Sequence, residues 1–187
     1  MRLRLIREDN MREPIIIVDY DPAWPQVYEV ERARILRVTS GLVADIEHIG
    51  STAVVGLGAK PVIDIMATVQ TLAIGHTLIA PLTQQLAYSY VPEYEATFPN
   101  RLYLQKHPST GDQFHLHIVE VNSEFWEVHL LFRDYLRAHP EVAREYDRLK
   151  RELAARYGRN RDGYTDAKTD FVESILKKAQ ALKNHML

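Results

Sequence analysis

Asp64 is a single charge set among Val62, Ile63, Ile65 and Met66. A carboxylate within an apolar run is costly to bury unless it is paired or holds a ligand. Thirteen residues earlier stands Ser51, flanked by Gly50 and Thr52, and Lys60 lies in between. Glycine lets the backbone approach a ligand closely, while serine and threonine offer hydroxyls and N–H groups to phosphate oxygens. Lys60 adds a positive charge near the same mouth. If the strand before Gly50 and the strand bearing Asp64 are neighbours, the carboxylate can hold a divalent ion that bridges phosphates. The plainer alternative is a strand-end carboxylate bonded to backbone N–H groups.

Two familiar phosphate motifs are absent. Lys60 is followed by Pro61, which has no N–H, so G-x-x-x-x-G-K-[ST] is not met, and neither is G-x-G-x-x-G.

His115 and His117 form a second candidate set. Residues two apart on a strand face the same way, about 6.6 Å apart along it. Two imidazoles and the Asp64 carboxylate can converge on one ion, a donor set that suits Zn, Mn, Fe or Ni better than Mg. The alternative is the polar face of a half-exposed strand. His48 can supply a third imidazole or satisfy a buried carbonyl. Arg133 and Arg137 are four apart and share a helix face, which makes either an anion site or an ion-paired surface with Asp134, Glu141 and Glu145. Tyr164 and Lys168 are also four apart, and Lys168 reaches the cleft if its helix packs over the sheet.

These residues must be positioned by identifiable elements. Ile15 to Val18 reads as a short strand, and Pro25 opens a helix. Ile46 to Ile49 and Pro61 to Val69 read as strands joined by a connection containing Gly50, Gly56 and Gly58. A helix is expected over Leu72 to Leu86. Arg101 to Gln105 and Phe114 to Val121 read as a hairpin around the turn-forming stretch Lys106 to Asp112. From Ser123 onward the pattern is helical: one segment with Phe125, Val128, Phe132 and Tyr135, one from Pro140 to Gly158, and one from Tyr164 to Lys183. The expectation is a single α+β domain over residues 1–187, with an α/β core at 1–122 and a helical section at 123–187.

Composition narrows the partners. A net charge of −2 argues against broad nucleic-acid binding. The absence of cysteine excludes disulfides and cysteine-ligated metal, and fits a reducing compartment. The basic start, MRLRLIREDNMREP, lacks a signal-peptide core, and no apolar run approaches the roughly 20 residues of a membrane span. A cytoplasmic protein that binds a small molecule is expected; the sequence leaves its oligomeric state open.

Four blocks in order, HIGSTAVVGLGAKPVIDI, FHLH, FRDYLRAHP and YTDAKTDF, resemble the GrpB-like family of the nucleotidyltransferase superfamily, from about Val18 to Leu176. The resemblance implies a small mixed sheet flanked by helices and a nucleotide-sized cleft. It implies a nucleoside triphosphate cradled by Gly50, Ser51, Thr52, Lys60, Arg133 and Lys168. A divalent metal (Mn, Zn or Mg) would sit on Asp64, His115 and His117, with Asp64 the catalytic carboxylate for nucleotidyl transfer to an acceptor. The superfamily's Asp-x-Asp pair is incomplete, since Val62 and Met66 flank Asp64 at two residues' distance. That departure leaves two alternatives: a non-catalytic module for a nucleotide or phosphorylated metabolite, and a metal-dependent phosphoesterase.

Overall fold

Strands form where β-branched residues run between turn-formers, and five of them make one sheet. They are β1 (Asp45–Ile49), β2 (Val62–Val69), β3 (Ser89–Tyr90), β4 (Arg101–Lys106) and β5 (Gln113–Glu120), in the order β1-β2-β5-β4-β3. β2 and β5 are parallel and every other pair is antiparallel, so the sheet is mixed, as expected. The computed structural model describes residues 14–185. The basic stretch at 1–13, read above for a leader, lies outside the described residues.

One sheet face is mainly apolar, with His48 and Lys106 at its margins. Ile63, Ile65, Ala67 and Val69 of β2, Leu102 and Leu104 of β4, and Phe114, Leu116 and Ile118 of β5 pack with α1 (Trp24–Val38) and α2 (Leu72–Leu86). Thr71 caps α2 by accepting a hydrogen bond from Ile74 N. The other face carries Glu47 and Ile49, then Asp64 and Met66, then His115, His117 and Val119. It is covered by α4 (Glu124–Ala138), whose Phe125, Trp126 and Leu130 pack on Ile49, Met66 and Val119. Strand alternation thus places the apolar set on one side and every polar candidate of β2 and β5 on the other.

The helical section continues with α5 (Pro140–Tyr157), α6 (Arg161–Asp166) and α7 (Thr169–His185). Pro140 opens α5 and Gly158, at φ 58°, closes it. Ala143, Tyr146, Lys150, Leu153 and Ala154 form its buried stripe. It packs on Val54, Leu57, Leu136, Phe132, Phe171 and Val172.

Two expectations are corrected. Ile15 to Val18 is not a strand of the sheet: it makes a single bridge, Val18 with Ala59, because Ile15 and Ile17 pack instead on Leu153, Ala154 and Tyr164. The helix expected over Tyr164 to Lys183 is two, parting at Ala167 and Lys168. The Thr-Asp pairs at 165–166 and 169–170 favour helix ends over helix interiors. Short elements β3 and α3 (Glu93–Thr97) occupy a stretch with no clear pattern.

Candidate functional site

The register brings the sequence candidates together. Ile49, the last residue of β1, pairs with Asp64, and Asp64 pairs with His115 on β5. Beyond Ile49 the chain turns at Gly50 (φ 72°, ψ −172°) into a single 3-10 turn, Ser51–Ala53. A methyl group on Gly50 would overlap Asp64 Oδ2 and lie 3.1 Å from the Asp64 Cβ and Cγ. Glycine is therefore required here for two reasons, the backbone angles and the carboxylate beside it.

His115 Nδ1 lies 3.0 Å from Asp64 Oδ1. Burial pushes the Asp64 carboxyl up, but the His115 hydrogen bond and the charges of His115, His117 and Lys60 outweigh it, so the group lies below its usual range. An ionised carboxylate can only accept, so His115 Nδ1–H is the donor to Asp64 Oδ1.

A pocket of about 190 Å³ opens beside this pair. It is lined by Gly50, Ser51, Asp64 and His115 and by three lysines, Lys60, Lys150 and Lys168. The lysines come from three places: the β1–β2 connection, α5, and the junction of α6 and α7. Lys150 is 3% exposed; its Nζ donates to Ser51 Oγ at 3.0 Å and to the Gly58 carbonyl. Burial pulls Lys150 down to about 7 and Lys168 down to about 8, and lowers Lys60 as well. Three cations face one carboxylate in a small, partly desolvated space. Such a pocket favours a polyanion.

Not every candidate is brought to the pocket with a free functional group. The Thr52 hydroxyl donates to the Val62 carbonyl (3.3 Å) and accepts from His48 Nε2 (3.0 Å), so it has no proton left for a phosphate. His48 lies on the opposite sheet face, stacked on Tyr28, and burial holds it neutral, down to about 4. Arg133 is 7% exposed and fully engaged: Glu47 Oε2 at 2.6 Å, the His48 carbonyl at 2.9 Å, and Asp134 at 2.7 and 3.2 Å. It fastens α4 to β1, with its guanidinium turned to these partners. Arg133→Met is expected to lower stability by about 2 kcal/mol or more, by leaving that carbonyl and two carboxylates without their donor. Chemical denaturation should show this loss.

The expected metal set is not drawn together into one cluster among the described residues. His117 sits one step along the strand, opposite Met66, against Tyr103 and Phe125. Asp64 Oδ1 is already occupied by His115, and Met66 holds the place of a second carboxylate. Among the described residues no three histidine, aspartate or glutamate side chains gather as a metal-holding group. These residues do not fit a three-ligand centre, and no step below runs through one.

Two residues of the pocket were missed from sequence, Lys150 and Tyr146. Both lie on the buried stripe of α5, where a lysine at core spacing was the available signal. A larger cleft of about 930 Å³ lies on the far side of β1, lined by Tyr28, Arg32, His48, Val55, Arg137 and Arg144 among others; neither Asp64 nor the three lysines border it.

A mixed five-stranded sheet flanked by helices, with a Gly-Ser turn and a strand carboxylate at its mouth, defines an α+β domain. More narrowly, the chain belongs to the GrpB family, whose model, described as GrpB protein, matches residues 14–178. The Bacillus subtilis protein YqkA is 32% identical over 92% of this chain. The chain spans about half of that relative's length, 49%. The crystal structure of GrpB from Enterococcus faecalis superposes with a TM-score of 0.78 at 32% identity, over 92% of this chain and 100% of the other. Terminal uridylyl transferase 4 from Trypanosoma brucei with bound CTP gives a TM-score of 0.49 at 14% identity, over 86% of this chain and 51% of that one. Among the described residues no helix is long and apolar enough to cross a membrane.

Proposed function

We propose that this protein binds a nucleoside triphosphate with its phosphates in the lysine pocket, and that it transfers the nucleotidyl group to an acceptor. One observation carries the reading: Lys60, Lys150 and Lys168, from three separate segments, line the same pocket as the Gly50–Ser51 turn and the Asp64–His115 pair. The lysines offset phosphate charge, and the Gly50–Ser51 turn gives the chain a close approach to phosphate oxygens. Asp64 orients His115, whose Nε2 is the lone pair able to take the proton of an attacking hydroxyl. The acceptor oxygen bonds to the α-phosphorus as its proton passes to His115, the bond from that phosphorus to the bridging oxygen breaks, and pyrophosphate leaves with its charge offset by the lysines. Catalysis is positioning plus electrostatic stabilisation of this in-line displacement.

The pH dependence of binding tests it. Lys150 and Lys168 lose their charge near pH 7 and pH 8 in the free protein, and a bound polyanion raises both values. Affinity for a triphosphate should therefore fall as pH rises from 7.5 to 9, by up to about tenfold per unit for each lysine. The ligand's own phosphate ionisation is complete by then, with its last pKa near 6. Calorimetric titration with ATP, CTP, GTP and UTP measures it directly. Binding that is absent throughout, or flat across this window, contradicts the proposal. His115→Ala should keep the binding and lose turnover.

A further inference from the structure

The space beside Asp64 has a second chamber, of about 330 Å³, bounded by Ile49, Val128, Phe132, Leu136, Tyr146 and Val172. Gly50, Ser51, Asp64 and Tyr146 border both chambers, so the two are contiguous around the carboxylate. Their chemistry differs. The first is cationic; the second is apolar, with His117 and His129 in its wall. Arg133 also borders it, but its guanidinium is taken up by Glu47, Asp134 and the His48 carbonyl.

The two imidazoles supply the polar handles. His129 Nδ1 donates to the Phe125 carbonyl at 2.7 Å, which leaves Nε2 as an acceptor, and its ring stacks on Phe125. His117 Nδ1 is buried with no hydrogen-bond partner in the protein. A buried polar atom without a partner carries a desolvation cost that a ligand can relieve. With apolar walls, imidazole nitrogens and no uncommitted cation, the chamber disfavours a second phosphate. It suits a neutral ring that donates hydrogen bonds, and its volume is of the size typical for small-ligand sites.

We infer that this chamber seats the nucleoside half of the ligand whose phosphates occupy the lysine pocket, and that it favours bases bearing an exocyclic amine. The inference rests on the function proposed above. The ligand bends over Gly50, with Asp64 and His115 beside the junction of its two halves. Tyr146, held by Phe171 (5.2 Å, stacked) and Phe132 (5.5 Å, edge-on), forms the wall common to both chambers.

The test separates the two halves. Inorganic tripolyphosphate probes the lysine pocket alone; ATP probes both chambers, and UTP lacks the amine. Wild-type protein should bind ATP at least about tenfold more tightly than tripolyphosphate, and more tightly than UTP. Val128→Phe, which fills the apolar chamber from α4, should bring ATP down to the tripolyphosphate level and leave tripolyphosphate unchanged. Val172→Phe fills it from α7 and repeats the comparison should the first variant lose tripolyphosphate binding through misfolding. Filled variants that bind ATP as wild type does would overturn the inference while leaving the phosphate site standing. Tripolyphosphate that fails to bind wild-type protein would instead remove the proposed function, and this inference with it.

Discussion

Gly50→Ala is expected to destabilise the protein by about 2–4 kcal/mol and to abolish triphosphate binding in whatever protein still folds. Gly50 has φ 72° and ψ −172°, a region essentially closed to residues with a side chain and costing about 1–3 kcal/mol. The added methyl also overlaps Asp64 Oδ2, so either the turn or the carboxylate must move. Movement of the carboxylate breaks its 3.0 Å bond with His115. Gly56 provides the control: it too has a positive φ, 78°, but a methyl there meets nothing within 4 Å. Gly56→Ala should cost only the backbone strain and keep the ligand. Urea unfolding of both variants compares a positive-φ glycine packed on Asp64 with one in open space. If the two losses agree within a few tenths of a kcal/mol and both variants bind triphosphate, the tight packing of Gly50 on Asp64 has no part in the site.

Lys150→Met is expected to do the opposite to stability, raising it at neutral pH while removing ligand binding. The lysine is 3% exposed and burial draws it from 10.5 to about 7. At pH 7 and below the unfolded chain is protonated, and the folded protein must carry all or much of that charge in a desolvated site. Between pH 7 and 10.5 the unfolded state binds more protons than the folded one, so wild-type stability rises with pH. Methionine removes the buried charge and fills the same stem volume, at the loss of the Ser51 and Gly58 hydrogen bonds. The net gain at pH 6–7 should be on the order of 2–3 kcal/mol, shrinking and then reversing as pH approaches 10.5. Denaturation midpoints at pH 6.5 and pH 10 check both sign and trend. A variant less stable than wild type at pH 6.5 would mean that Lys150 is a structural cross-link rather than a destabilising residue kept for a ligand.

Much of this could be read before the fold was known. The β2 run around Asp64, the hairpin of β4 and β5, and the Pro140-to-Gly158 helix follow from periodicity and turn chemistry, which act locally. The pairing of Asp64 with His115 followed once β2 and β5 were taken as neighbours. What stayed hidden depends on partners distant in sequence. Arg133 binds Glu47 and the His48 carbonyl, 86 and 85 positions away, and no spacing rule announces them. Thr52 likewise gives its proton to Val62. His48 was placed among the ligand candidates because its strand parity has meaning only when the register is known; it shares a face with Ile46 and stacks on Tyr28 of α1. Lys150 passed as one more charge of the Pro140-to-Gly158 helix, although Ala143, Tyr146, Leu153 and Ala154 put it on an apolar stripe.

The central claim is that Lys150 is held in a poor solvation state in order to meet phosphate. Thermal unfolding of wild type and Lys150→Met at pH 7, each with and without tripolyphosphate, tests it most directly. Ligand at about 100 times its dissociation constant stabilises by roughly 2.7 kcal/mol. For a chain of this length that is a rise of about 5–11 °C in wild type. The variant should melt higher alone, and wild type should close or reverse the gap when tripolyphosphate is present. Equal shifts in both proteins, or none in either, would contradict it.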